Sequence, residues 1–231
     1  MRTKYSILLI ICTILLTSQI AAQEEINFTA LTTKNGLSSN TVNTILKDRF
    51  GLMWFGTDDG LDRFDGTNFT IYRHNPLNPS SLRSNEILSL HEDKEGNLWV
   101  GTSGGSLSLY DRKKDAFINF PSGNGTNAIS NNVINSICSD YLGKIWLAHY
   151  NGVSILDPTT KTVSKIPLVS GSFPEKPCLF LFEDSRHFMW IGTNQGAFRY
   201  DPKTKSITQF QHNNQDPSSL PDNNIKTIAE D

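Results

Sequence analysis

The 231-residue chain has no excess of positive charge: 21 Lys and Arg stand against 23 Asp and Glu, a net charge of −2. A duplex nucleic-acid partner calls for a basic field, and the sequence supplies none. Charged residues make up only 19% and hydrophobic ones 37%, both low for a helical enzyme. Apolar runs at i, i+3, i+4 and i+7 are absent, which removes armadillo-type helical repeats. The three cysteines show neither C-x-x-C nor metal-ligand spacing, so no zinc module, redox site, metal or cofactor is expected. Beyond one short run near the N-terminus, no stretch is apolar enough to cross a membrane. What the sequence does have is 16 Gly and 10 Pro scattered among Asn, Ser and Thr. That mixture suits short strands and tight turns.

Residues 1–22 read as a targeting segment. Arg2 and Lys4 precede an apolar run from Ile7 to Leu16, and the segment ends Ile20-Ala21-Ala22. This is the order of a secretory signal peptide cut after Ala22. The ten residues of the run fall short of the roughly 20 that a membrane helix needs. An uncleaved anchor is the alternative.

The rest of the chain repeats itself. Trp54, Trp99, Trp146 and Trp190 fall 45, 47 and 44 residues apart. Each lies six residues after an aspartate: Asp48, Asp93, Asp140 and Asp184. Asp231 continues the series 47 further on. After each tryptophan comes a small-residue turn: W-F-G-T-D-D-G, W-V-G-T-S-G-G, W-L-A-H-Y-N-G and W-I-G-T-N-Q-G. A period of 44 to 47 with strand signals throughout points to one four-stranded propeller blade per repeat. A stacked solenoid is the rival. In the first repeat the strands are expected at Val42–Leu46, Leu52–Gly56, Leu61–Phe64 and Phe69–Tyr72.

The recurring residues read as structural. One tryptophan per blade at a fixed register fills the wedge between blades. Gly60, Gly105, Gly152 and Gly196 read as turn residues needing positive φ. Asn40, Asn85, Asn132 and Asn223 precede the inner strand and are expected to bond local backbone. Asp58-Asp59-Gly60-Leu61-Asp62 lacks the ligand spacing of a calcium loop. Cys138 and Cys178 are expected to stay unpaired, because their places in the repeat differ by four residues, about 13 Å along a strand.

The pattern G-L-S-S-N-x-V…D-x-x-G-x-x-W-x-G-T-x-x-G-L-x-x-F/Y-D resembles the two-component regulator propeller repeat. Residues 35–65 follow it almost throughout and 82–111 well; 129–158 and 184–202 depart from it. Ala148-His149 stands where Gly-Thr is usual, an extra residue follows Gly105, and Arg186-His187 replaces a glycine. The resemblance implies an all-β propeller of four-stranded blades, here about four blades and a partial fifth in an incomplete ring. The divisions are a signal peptide (1–22), an N-terminal strand that closes the ring (23–34), blades at 35–81, 82–128, 129–172 and 173–219, and the start of a fifth (220–231). Ile26–Leu31 is taken as the closing strand because it resembles Asn68–Tyr72.

The resemblance further implies the periplasmic sensor of a membrane-bound, often hybrid, histidine kinase of Bacteroidetes type that governs polysaccharide utilisation. Kinase and receiver motifs are absent from these 231 residues, so the chain is expected to be non-catalytic and an N-terminal piece. Its implied partners are a periplasmic oligosaccharide, the remaining blades and, in the full-length protein, a second copy. Binding residues collect on long loops over a rigid frame. The turns between second and third strands share a face with the inter-blade connections. Arg73, His74, His149, Tyr150 and Asn151 fall there, an aromatic among amides and cations suited to a sugar. The alternatives are a secreted propeller lyase or glycosidase, or an adhesive propeller.

Overall fold

The computed structural model describes residues 28–125, 127–167, 173 and 176–231. The expected signal peptide, Cys12 and residues 168–172 of the third repeat lie outside them. Among the described residues, sixteen strands form four sheets of four. Blade 1 is β1 (Val42–Lys47), β2 (Met53–Thr57), β3 (Gly60–Phe64) and β4 (Phe69–Tyr72). Blade 2 is β5 (Ile87–Glu92), β6 (Leu98–Thr102), β7 (Leu107–Asp111) and β8 (Ala116–Phe120). Blade 3 is β9 (Ile134–Ser139), β10 (Ile145–His149), β11 (Gly152–Asp157) and β12 (Thr162–Ser164). Blade 4 is β13 (Cys178–Glu183), β14 (Met189–Thr193), β15 (Gly196–Asp201) and β16 (Ser206–Phe210). Neighbours in sequence pair antiparallel in every sheet. The inner strands β1, β5, β9 and β13 stand side by side in that order, and the described residues do not close the ring.

One carboxylate organises the first turn of each blade. Asp48 Oδ1 accepts the Phe50 and Leu52 amides at 3.0 Å each, while Oδ2 accepts the Trp54 indole N–H at 2.8 Å. Asp93, Asp140 and Asp184 hold Trp99, Trp146 and Trp190 in the same way, at 2.8, 2.9 and 2.9 Å. The six-residue spacing is therefore the length of one hairpin turn that returns the indole to its own starting carboxylate. A buried indole N–H needs an acceptor, and a carboxylate is a strong one.

The rings fill the spaces between blades. Trp54 packs with Leu82, Ile87 and Leu98 at the first junction, and Trp99 with Ile129, Ile134 and Ile145 at the second. Trp146 packs with Cys178, Met189 and Tyr200 at the third. Each buried ring removes ~150–250 Å² from water, at most about 4–6 kcal/mol. Side-chain polar groups stitch the inner strands together. A β-bulge recurs just after the first residue of each. It turns Asn43 and Asn135 toward the next blade, where they donate to the Ile87 and Cys178 carbonyls at 3.1 and 2.8 Å.

A glycine follows the residue after the tryptophan where the next inner strand crosses. A Cβ on Gly56 would lie 2.7 Å from Ile87 Cγ2, and one on Gly101 2.9 Å from Ile134 Cγ2. Blade 3 has Ala148 in this place and Cys178 in the isoleucine's place, both fully buried in one cluster. The methyl added on one side matches the volume removed on the other. Cys178 and Cys138 are free thiols, and burial pushes them up to about 12 and about 11.

One expectation, a positive φ at Gly105, is corrected, and the two ends of the propeller form no ladder among the described residues. Phe28–Leu31, the described part of the ring-closing strand, takes no strand, and Thr33–Asn35 is a 3-10 turn capped by Thr32. A strand needs a ladder partner, and the capping box at Thr32 draws the backbone into a turn instead. Residues 220–231 form no strand either. Ile225 N–H bonds the Thr193 carbonyl at 2.8 Å, but among the described residues no second strand pairs with the segment. Gly60, Gly152 and Gly196 have positive φ (141°, 116° and 104°), whereas Gly105 does not. The extra residue of that turn moves the left-handed positions to Gly104 and Ser106. Gly105 is required by space instead, since a Cβ there would meet the Arg83 backbone at 2.8 Å.

Candidate functional site

The turns at 57–60, 102–107, 149–152 and 193–196 share one face with the inter-blade connections, because strands alternate in direction within each blade. A threonine pins three of these turns. Thr57 Oγ1 donates to the Gly60 carbonyl at 3.0 Å and accepts the Asp59 amide at 3.1 Å. Thr193 does the same with Gly196 and Gln195, at 2.8 and 3.0 Å.

His149 is the threonine's replacement in blade 3. It is fully buried, and its Nδ1 accepts the Asn151 amide at 3.2 Å. The proton therefore sits on Nε2, which donates to Ser154 Oγ at 2.9 Å. Burial lowers its pKa to about 4, so the ring is neutral at physiological pH. His149 thus shapes the turn and presents nothing to solvent. What it shapes is exposed: Tyr150 stands half out at the tip, and the Asn151 side-chain amide donates to the Ser130 carbonyl at 3.3 Å.

Arg73 and His74 lie at the end of blade 1, on a different blade. Arg73 clamps Asp59, with Nη2 2.8 Å from Oδ2 and Nε 2.9 Å from the carbonyl. Both side chains are about half exposed (45% and 50%), so the pair adds little stability. His74 Nδ1 donates to the Leu82 carbonyl at 2.7 Å, leaving Nε2 as an outward acceptor. The structure therefore brings His149, Tyr150 and Asn151 together in one turn, and Arg73 with His74 in another place.

Sequence reasoning missed two features of this face. Asp59 is a hub, since it also receives the Asn85 side-chain amide at 3.3 Å while Asn85 Oδ1 accepts the His74 amide at 2.7 Å. The signal was the Asp58-Asp59 pair, weighed only as a calcium ligand. The second feature is a clasp used twice. His74-Asn75-x-x-x-Pro79-Ser80-Ser81-Leu82 and His212-Asn213-x-x-x-Pro217-Ser218-Ser219-Leu220 carry the same bonds. Histidine Nδ1 meets the leucine carbonyl at 2.7 and 2.6 Å, and the asparagine amide meets the second serine hydroxyl at 2.9 Å in both. Asn85 and Asn223 close the two clasps from outside.

On the inner strands, His91 Nε2 accepts the Ser139 amide at 3.1 Å, and burial lowers its pKa. Asp62 is fully buried: its Oδ2 accepts the Ser38 amide and hydroxyl at 2.9 and 2.7 Å, and burial raises its pKa. His91 ties blade 2 to blade 3, whereas Asp62 ties the Ser38 segment to β3 within blade 1, and the two do not converge on one point.

The profile of the family described as two component regulator propeller matches residues 36–59 and 81–104, the openings of blades 1 and 2. The chain is 46% identical over 55 residues to "Histidine kinase P4" of Formosa agariphila, a stretch covering 24% of this chain and 4% of that protein. Among solved structures it is similar to the extracellular domain of B. thetaiotaomicron BT3049, described as a hybrid two component system. The identity is 25% and the TM-score 0.70, over 80% of this chain and 26% of that one. The extracellular domain of BT4673 from the same species gives 26% identity and a TM-score of 0.63, over 77% and 25% of the two chains. The chain thus spans about a quarter of the length of these solved domains. Virginiamycin B lyase of Staphylococcus aureus, at 16% identity and a TM-score of 0.57, shares the fold alone.

Proposed function

We propose that the chain is the N-terminal part of the periplasmic ligand-sensing propeller of a membrane-bound hybrid sensor histidine kinase. On this reading the parent protein carries further blades, a membrane span and the kinase, and this segment is non-catalytic. The ligand is an oligosaccharide, and its binding shifts a conformational balance that the kinase reads. The observation that supports the reading is the likeness, over 80% of this chain, to an extracellular domain of a two component system. The repeat profile at 36–59 and 81–104 supports it independently. On the turn face, Tyr150 offers a stacking ring and Asn151, in the same turn, a side-chain carbonyl oxygen; Arg73 and His74 are polar groups elsewhere on that face.

The test is autophosphorylation of the full-length sensor in proteoliposomes against a panel of oligosaccharides. One oligosaccharide should change the rate saturably, and Tyr150→Ala should raise the concentration needed without moving the thermal midpoint. A sensor that neither binds nor responds to any glycan refutes the carbohydrate reading. Hydrolysis of a glycan by the chain itself refutes the non-catalytic one.

A further inference from the structure

The first and third blade junctions share a second arrangement on the opposite face, beside the aspartate turns. At the first junction Arg112, just after β7, reaches back into blade 1. Its Nη1 donates to Asp48 Oδ2 at 2.9 Å, and Nη2 lies 3.4 Å from Glu92 Oε1. The guanidinium sits 4.6 Å from the Phe50 ring centroid and 5.8 Å from that of Tyr110. Glu92 is itself held by the Arg49 amide, at 2.9 Å.

At the third junction the repeat puts Asp140, Leu142, Glu183 and Tyr200 in the places of Asp48, Phe50, Glu92 and Tyr110. Glu183 is held as Glu92 is, by the Tyr141 amide at 2.8 Å. The place of Arg112 is taken by Pro202, and a cavity of about 350 Å³ opens between these residues. The carboxylates around it are under-used. Oδ2 of Asp48, Asp93 and Asp184 each has a second nitrogen beside the indole: Arg112 at 2.9 Å, the Asn97 amide at 2.9 Å and Arg186 at 3.8 Å. Among the described residues, Asp140 Oδ2 has the Trp146 indole alone. Glu183 Oε2 has no hydrogen-bond donor among them, and its side chain is only 15% exposed. His187 forms the side wall, 4.5 Å from the Tyr141 ring and with Nδ1 3.5 Å from Glu183 Oε1. It does so from a left-handed backbone (φ 68°) where the first three blades have glycine. Such a conformation is costly without glycine and tends to persist at functional places. Lys144 and Lys205 are exposed at the mouth and pair with neither carboxylate.

We propose that the cavity at the third junction binds the guanidinium of an arginine side chain presented by a peptide ligand, in the place Arg112 fills at the first junction. Asp140 Oδ2 and Glu183 Oε2 accept its N–H groups as a planar fork, and Tyr200 flanks it. The site stands apart from the kinase reading and lies on the face opposite the sugar-binding candidates.

The test is titration of the full chain with N-acetyl-arginine amide, followed by calorimetry and by the NMR signals of the Tyr200 ring. N-acetyl-citrulline amide is the neutral isostere and N-acetyl-lysine amide the competing cation. The arginine compound should bind saturably and the other two at least about tenfold more weakly. Glu183→Gln should weaken it about tenfold with the thermal midpoint held. Asp140 is left intact because it also holds Trp146. Pro202→Arg should fill the cavity, abolish binding and raise the midpoint. Absence of saturable binding, equal binding of citrulline or lysine compounds, or a Pro202→Arg protein that still binds would overturn the proposal.

Discussion

Cys178 and Ala148 should be energetically coupled, because each departs from the repeat in a direction that compensates the other. Restoring the isoleucine alone, Cys178→Ile, adds a net two heavy atoms against the Ala148 methyl. In blades 1 and 2 the matching isoleucine methyl would lie 2.7 and 2.9 Å from a Cβ on the facing glycine, well inside van der Waals contact. Overpacking of this kind costs about 1–3 kcal/mol. Ala148→Gly alone leaves a small void and a more flexible strand, at about 0.5–1 kcal/mol. The double variant rebuilds the pairing of blades 1 and 2, so it should sit near the parent. That requires a coupling of about 1.5–4 kcal/mol across the cycle, the sum of the two single costs. Urea unfolding of the full chain, followed by tryptophan fluorescence, measures all four species, with an unchanged m-value as the condition. Additivity to within ~0.5 kcal/mol would refute the argument that the two sites were exchanged as a pair.

Trp99→Ala should destabilise by about 3–5 kcal/mol, since the ring is fully buried and holds its own turn through Asp93; a variant as stable as its parent would make the ring a ligand platform. His149→Thr should change the pH profile of stability. A histidine whose folded pKa falls from 6.5 to about 4 contributes fully above pH 6.5 and loses that contribution as pH falls toward 4, by at most about 3 kcal/mol. The threonine variant should lack that slope, and an unchanged profile would refute the buried neutral ring. Cys138 and Cys178 should react with a thiol reagent only after unfolding, one equivalent each, and an intramolecular bridge found by mass would break the register of blades 3 and 4.

The architecture was legible because one residue type marks it. Four tryptophans at a near-constant period, each six residues after an aspartate, fix blade number and register together. The reason for the six was not legible, since a hydrogen bond from Trp54 to Asp48 is a property of the folded turn. His149 shows the limit for sites. A histidine breaking a Gly-Thr pattern in a loop reads as a ligand group, yet a buried imidazole can copy a threonine hydroxyl by accepting one N–H and donating to Ser154. Gly105 shows it for backbone, where one inserted residue moved the left-handed positions to either side. The cavity beside Asp140 depends on what Arg112 does in another blade. The substitution of proline at 202 was visible, but its consequence appeared only once the guanidinium's partners were known.

The central claim is that this propeller segment belongs to a membrane-bound sensor kinase. The reading frame beyond codon 231 tests it most directly, by sequencing the gene and its transcript. The account predicts further repeats of the same 44 to 47 residue period, then a membrane span and a histidine kinase domain. A frame that completes the ring and stops, with neither span nor kinase, would contradict it.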